Sequence, residues 1–211
     1  MKQKLIGVHG GIMSGKSVVC EALPIALKVI NGRCKVGYAS LSTRMKLATE
    51  KLTGVDTDEV LHWIPRNYNF YDNNRDYSHK VKNQYIQEMD ATVGQVLQWM
   101  GAGVKQFNSH VWIEQVKTWA KHKQFDYLVI DGVRYVDDVL GILEEGGMNI
   151  KVCRVGDESS SDSRDLSHQT EIGLDGYEGF NWVYHNETQP NRGLAVMAAV
   201  DAIIANKELF I

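Results

Sequence analysis

The segment from Gly10 to Ser17 has the residue types and the spacing that bind nucleotide phosphates. It reads GGIMSGKS, a match to the Walker A pattern. Glycines let backbone N–H groups curl around phosphate oxygens, the lysine reaches the β and γ phosphates, and the serine hydroxyl is a ligand for Mg²⁺ at a helix N-terminus. The pattern predicts that ATP and Mg²⁺ bind here. The residues expected to contact the nucleotide are Gly10, Gly11, Ser14, Gly15, Lys16, Ser17 and Val18.

This chemistry requires a strand before the loop and a helix after it. Residues 5–9 form a short apolar run, and residues 17–30 carry apolar side chains at helical spacing despite Pro24. The alternative is a glycine-rich turn with an exposed lysine. The strand–loop–helix context favours the phosphate-binding loop.

Asp131 is the best candidate for a second Mg²⁺ ligand beside Ser17. It ends the run YLVID at residues 127–131, which is typical of a strand buried on both faces and is the best candidate for a central strand. A carboxylate in this position can hold Mg²⁺ directly or through water, and it also lies where an acceptor would bind. An aspartate that caps the following loop would look the same. The Walker A pattern favours the metal role.

Three arginines are placed where phosphate charge could be neutralised. Arg134 follows Asp131 in DGVR, and Arg154 ends the next predicted strand, so both should lie at the carboxyl edge of the sheet. Arg164, in a serine-rich segment, could close on the transferred phosphoryl group, since guanidinium groups suit phosphate oxygens. For each arginine the alternative is a surface salt bridge or a solvated charge. With Lys16 they are the predicted catalytic residues.

Cations that could hold the phosphate of an acceptor follow the second predicted strand. Arg44 and Lys46 lie in SLSTRMK, where a solvated helix face is the alternative. Arg66 and Arg75 lie in the irregular segment 55–90, whose aromatic side chains could stack on a base or simply anchor the loop.

The rest of the chain alternates strands and helices. The further predicted strands are residues 34–40, 149–154 and 181–185, and the further predicted helices are 43–52, 92–100, 111–122, 136–145 and 193–207, with a turn in GAGVKQFNS. This alternation predicts a three-layer α/β fold of the P-loop type with a central parallel sheet. We expect one domain over residues 1–211, with a helical and irregular acceptor-binding insertion at about 54–125 and a lid at about 156–180.

The composition of the chain limits the classes of molecule that it is expected to bind. The net charge of −3 gives no basic footprint for polymeric nucleic acid, and no run approaches the roughly 20 apolar residues that span a bilayer. The first residues read as a strand and turn and not as a signal peptide, so we expect a cytoplasmic protein. The three cysteines fit reduced structural thiols. His168 and Glu171 have no further ligand pair nearby, so we expect no metal site there. The sequence is also compatible with a homodimer.

Several segments taken together resemble a known family. GGIMSGKS, LQWMG at 97–101, VIDGVRYVDDV at 129–139, KVCRV and SHQTE resemble the deoxynucleoside monophosphate kinases of phage type, over most of the chain and least at 55–90. The resemblance implies a P-loop kinase of the adenylate-kinase-like group, which transfers the γ-phosphoryl group of ATP to a dNMP with Mg²⁺ in the host cytoplasm. The family pattern DxRxxxE is here Asp131, Arg134 and Asp138, with an aspartate in place of the glutamate.

The resemblance also implies site roles. Arg44, Lys46 and Gln98 would lie beside the acceptor nucleotide, and the three arginines named above would surround the phosphates. Asn186, with His185, would lie near the ATP base. The full set of predicted acceptor-binding residues is Arg44, Lys46, Arg66, Gln98, Asp131 and Arg134.

Two alternatives remain at this point. The stretch EIGLDGYEGFNWVYHNET is similar to animal-type phosphomevalonate kinases, which have the same donor and mechanism but a small aliphatic acceptor. The aromatic and Asn-rich insertion favours a planar base. A P-loop ATPase or GTPase switch is the other alternative. The sequence has no NKxD base-reading motif for a GTPase, and an ATPase motor would usually need more chain.

Overall fold

A computed structural model of the protein describes residues 3–11, 14–42, 85–121, 123–155 and 173–211, and all structural statements below concern these residues. Several predictions lie outside them. The predicted helix 43–52 and much of the predicted insertion and lid are among these. So are the candidate residues Arg44, Lys46, Arg66, Arg75, Arg164, His168 and Glu171.

The described part of the chain contains one five-stranded parallel sheet and one small hairpin. The strands are β1 (Lys4–His9), β2 (Val36–Ser40), β3 (Tyr85–Ile86), β4 (Ala91–Thr92), β5 (Tyr127–Asp131), β6 (Met148–Arg154) and β7 (Trp182–Asn186). The order across the large sheet is β2-β5-β1-β6-β7, and β3 and β4 pair with each other in antiparallel fashion. The predicted parallel sheet is therefore confirmed. Strand β5, predicted to be a central strand, lies inside the sheet between β2 and β1, and β1 occupies the middle position.

Helices cover both faces of the sheet. They are α1 (Lys16–Asn31), α2 (Val93–Phe107), α3 (Val111–Lys121), α4 (Val136–Glu144) and α5 (Arg192–Ala205), with short 3₁₀ turns at Gln87–Met89 and Lys207–Leu209. Apart from α2, these boundaries lie close to the predicted ones. Among the helices described, none combines the length and the apolar character needed to cross a bilayer.

Strand β5 shows how one sequence pattern supplies two hydrophobic cores. Val129 joins the core formed with α1 and α5, where Leu27 and Ile203 are fully buried. Leu128 and Ile130 point to the other face and join the core formed with α3 and α4. Successive side chains of a strand face opposite sides, so the continuous apolar run YLVI serves both cores.

Helix α2 corrects a prediction. The glycines of GAGVKQFNS predict a turn after residue 100, but the helix continues through them to Phe107. The indole Nε1–H of Trp112 on α3 donates to the carbonyl oxygen of Gly101 at 3.4 Å and so ties α2 to α3. The helix thus continues despite the low helix propensity of glycine, which costs roughly 1 kcal/mol relative to alanine.

Replacing Leu128 by alanine tests the core on the α3 and α4 side. The side chain is fully buried, so the Leu128→Ala substitution should lower the free energy of unfolding by about 2–5 kcal/mol through lost burial and a residual cavity. Urea unfolding measures this quantity. Leu140→Ala is the matched control, because Leu140 is 42% exposed and its loss should change stability by no more than about 0.5 kcal/mol. Equal effects in the two variants would contradict this assignment of the core.

Candidate functional site

The loop between β1 and α1 has the geometry of a phosphate-binding loop. Strand β1 ends at His9, and α1 begins at Lys16, with Gly15 as its N-cap in the left-handed region at φ 97°. The Lys16 ammonium folds back over the loop and donates to the carbonyl oxygens of Gly10 and Gly11, both at 2.6 Å. The lysine is thereby held across the space that phosphates would occupy, next to the free N–H end of the helix.

Two glycines of the loop are required by close neighbours. A Cβ at Gly10 would lie 2.6 Å from the carbonyl oxygen of Val152 and would also meet the Ser14 hydroxyl. A Cβ at Gly15 would collide with the amide of Asn186, which donates to the Ser14 carbonyl oxygen at 3.0 Å. Strands β6 and β7 therefore hold the loop from behind. Asn186, predicted near the ATP base, uses its side chain to position the loop.

Asp131 lies beside this loop because of the strand register. In the parallel pairing of β1 with β5, Asp131 is the partner of Val8, and in the pairing of β2 with β5 it is the partner of Ser40. One carboxylate oxygen accepts the Gly132 N–H at 2.7 Å, and the other accepts the Tyr38 hydroxyl at 3.0 Å. The carboxylate is thus fixed at the carboxyl edge of the sheet next to the strand that enters the loop.

Of the three arginines predicted to neutralise phosphate charge, the structure describes Arg134 and Arg154, which occupy different places. Arg134 belongs to the short loop between β5 and α4, whose backbone is bound by the Asp138 carboxylate: the N–H groups of Arg134 and Tyr135 donate to Asp138 Oδ2 at 3.3 and 3.2 Å. Arg154 is the exposed last residue of β6, in register with Asn186. Both lie at the carboxyl edge, as the sequence predicts, while their action on phosphates stays a prediction.

A pocket opens on the Arg134 side of Asp131. The ends of β2 and β5, the Arg134 loop and helices α2 and α3 enclose it. Its lining residues are Leu41, Ser42, Gly101, Trp112, Gly132, Arg134, Tyr135 and Asp138. Gln98, predicted to bind the acceptor, is buried on α2, whose Gly101 belongs to this lining. The pocket is small and its lining is mostly apolar, with Arg134 and Asp138 as its charged members.

His9 is a member of the site that the sequence analysis missed. Its ring stacks on Phe180, with centroids 5.5 Å apart and planes at 10°, and its Nδ1 lies 2.8 Å from the carbonyl oxygen of Val133. The pKa of His9 is lowered to about 4, mainly by burial and to a smaller extent by the charges of Lys16, Arg134 and Lys151, while the hydrogen bond to Val133 opposes the shift. The neutral ring donates from Nδ1 to Val133 and so ties the end of β1 to the loop that carries Arg134.

A second missed residue is Arg192, the first residue of α5. Its guanidinium pairs with Glu21 at 3.0 Å and lies 3.5 Å from the Ser17 hydroxyl. The sequence shows a histidine directly before the loop and an arginine directly after Asn191. It contains no pattern that relates these residues to the other site residues, which lie far away in the chain.

The residues present fit MgATP. The Ser14 hydroxyl is buried and makes no hydrogen bond within the described part of the chain, so an acceptor or donor from outside would satisfy it. Ser17 and Asp131 offer the oxygen ligands that Mg²⁺ prefers. Val18 is buried in the core, so its contribution to nucleotide binding would come from its backbone.

Comparisons with known proteins leave the family open. No protein-family model and no curated protein sequence matches the chain. A shikimate kinase from Aquifex aeolicus is similar in structure over 97% of this chain and 99% of its own, with a TM-score of 0.34 and 10% identity. A likeness this weak says nothing about activity, so the functional assignment depends on the site itself.

The lowered pKa of His9 predicts a pH dependence of stability. Between about 4 and 6.5 the unfolded chain binds a proton that the native ring does not, so stability falls as the pH drops through this window. At about pH 4.5 the titration of His9 should have lowered the free energy of unfolding by on the order of 2 kcal/mol. His9→Asn keeps an N–H donor for Val133 and does not titrate. Urea unfolding at about pH 7 and about pH 4.5 should show a smaller loss for this variant than for wild type, and equal losses would contradict the prediction.

Proposed function

We propose that this protein is an ATP-dependent kinase that transfers the γ-phosphoryl group to a deoxynucleoside monophosphate and releases a dNDP. One observation carries the donor half of the proposal. The register of β1 with β5 brings the GGIMSGKS loop and the Asp131 carboxylate to the same edge of the sheet. A phosphate-binding loop beside a strand-end carboxylate is the arrangement that MgATP requires in P-loop enzymes.

The proposed reaction is a direct in-line transfer. The acceptor phosphate is already a competent nucleophile, so the protein needs no general base and no covalent intermediate. Lys16 and the loop N–H groups would hold the donor phosphates, and Arg134 and Arg154 would neutralise charge at the transferred group. Mg²⁺, held by Ser17 and Asp131, would supply further charge neutralisation. The remaining contribution is positioning of the two phosphates.

The acceptor half rests on the pocket beside Asp131. Arg134 belongs to its lining, and a guanidinium group suits the phosphate of an acceptor. The nucleotide part of the proposal is supported by the resemblance of LQWMG and VIDGVRYVDDV to deoxynucleoside monophosphate kinases.

The structure offers no observation that favours phosphomevalonate. Within the stretch that resembles phosphomevalonate kinases, Leu174 is buried in the core with α3 and α4, and Phe180 stacks on His9. These side chains are accounted for by packing, so we do not put that acceptor forward.

An assay with the four dNMPs tests the acceptor. Purified protein with MgATP should release ADP in the presence of at least one dNMP, and each accepted dNMP should also raise the melting temperature of the protein, because a ligand that binds the native state stabilises it. Phosphomevalonate and shikimate serve as comparison acceptors. Turnover with either of these and with no dNMP would overturn the acceptor assignment and leave the donor site intact.

Replacing Lys16 tests the donor site. Lys16→Met should lower kcat by roughly a hundredfold or more, because the cation that neutralises the β and γ phosphates is lost. Its ammonium donates to the loop carbonyls of Gly10 and Gly11, and Lys16 belongs to neither hydrophobic core, so the fold should survive, which circular dichroism would verify. Lys28→Met, at the far end of the same helix, is the matched control and should keep wild-type kcat. Activity retained in Lys16→Met would refute the assignment.

A further inference from the structure

Asp138 lies at the start of α4 and also binds the loop that precedes this helix. It lies in the first turn of α4 and is almost fully buried, with 2% of its side chain exposed. Its Oδ2 accepts the backbone N–H groups of Arg134 and Tyr135. These two bonds set the path of the loop between β5 and α4, and therefore the point from which the Arg134 side chain starts. The carboxylate also lines the pocket beside Asp131.

Lys105 completes this arrangement from another helix. It lies in the last turn of α2, 33 positions away in sequence, and its ammonium donates to Asp138 Oδ1 at 2.6 Å and to the Ser109 carbonyl oxygen at 2.8 Å. The same ammonium lies 4.4 Å from the centre of the Tyr135 ring. A cation at the C-terminus of one helix thus meets an anion at the N-terminus of another, which both helix dipoles favour.

The Lys105–Asp138 ion pair is buried, and its burial indicates a role other than stability. Burial raises the pKa of Asp138, and the Lys105 ammonium and the two N–H groups oppose that rise. Removing the partner of a buried ion is strongly destabilising, yet an apolar pair of similar volume is often as stable, so stability alone does not require charges here. What an apolar pair would not provide is an acceptor for the N–H groups of Arg134 and Tyr135.

We propose that Asp138 is a positioning residue for the acceptor: its side-chain oxygen, which accepts the N–H groups of Arg134 and Tyr135, holds the Gly132–Tyr135 loop and thereby places Arg134 in the pocket. The inference rests on the proposed function, because Arg134 is assigned there to the phosphates. The donor loop follows β1, whereas the pocket residues Leu41 and Ser42 follow β2, on the other side of β5. Loss of the Asp138 oxygen should therefore weaken acceptor binding, while ATP, which would be held by Lys16 and the loop N–H groups, should still bind.

Two double variants test the proposal without leaving a buried charge unpaired. Lys105→Met with Asp138→Asn removes both charges but keeps a side-chain oxygen that accepts the loop N–H groups. Lys105→Met with Asp138→Ala removes that oxygen as well. We expect the alanine double variant to raise the KM for the accepted dNMP by roughly ten- to a hundredfold, since small misplacements of a positioning group have effects of this size. The asparagine double variant should stay within about threefold of wild type.

Binding measurements separate positioning from a general loss of structure. Both variants should bind ATP alone like wild type in a thermal-shift titration, while dNMP alone should bind more weakly to the alanine variant. Lys117→Met is the matched control, because Lys117 makes ion pairs of 2.8 Å with Glu114 and Glu145 outside the pocket and should change neither KM.

Failure of this inference and failure of the proposed function would give different results. The same dNMP KM in both double variants, at any level, overturns the inference, and so does a loss of ATP binding that matches the loss of dNMP binding. Failure of the proposed function has another signature, because wild-type protein itself would then turn over no dNMP. A higher dNMP KM in the alanine variant alone, with ATP binding unchanged, supports the positioning role.

Discussion

The parallel pairing of β1 with β5 is the constraint on which the site depends. It places the strand that enters the phosphate-binding loop beside the strand that ends in Asp131, with Val8 and Asp131 as partners. A slip of one residue would turn Asp131 to the other face of the sheet. The register is held because both strands are buried on both faces, with Ile6 and Val129 in one core and Leu5 and Leu128 in the other. Hydrophobic packing therefore sets the positions of the polar groups.

A second layer of contacts sets the loops that leave the sheet. Asn186 binds the Ser14 carbonyl oxygen, and His9 binds the Val133 carbonyl oxygen. Both bonds join groups more than a hundred positions apart in sequence, and each links a loop to a strand end. The Asp138 carboxylate plays the same part for the Arg134 backbone. Polar side chains that bind backbone groups thus hold the loops around the proposed donor and acceptor sites.

Sequence periodicity was most reliable where burial alone determines conformation. Residues 127–131 and 136–145 were placed almost at their observed bounds, because a continuous apolar run and a helical apolar stripe have few other interpretations. The glycines of GAGVKQFNS misled the prediction for α2, because their low helix propensity favours a turn whereas the helix continues to Phe107. Helix propensity is a local quantity and does not include the packing of α2 against α3.

The sequence by itself determined the Walker A motif, the alternation of the five sheet strands with the described helices and the Asp131 strand end, because each is a local pattern of residue types. Only the tertiary structure decided that β1 is central, that His9 joins β1 to the Arg134 loop, and that Lys105 meets Asp138. Such pairs involve residues far apart in the chain, and their partners are chosen by how the helices pack on the sheet. A single sequence carries no spacing rule for contacts of this kind.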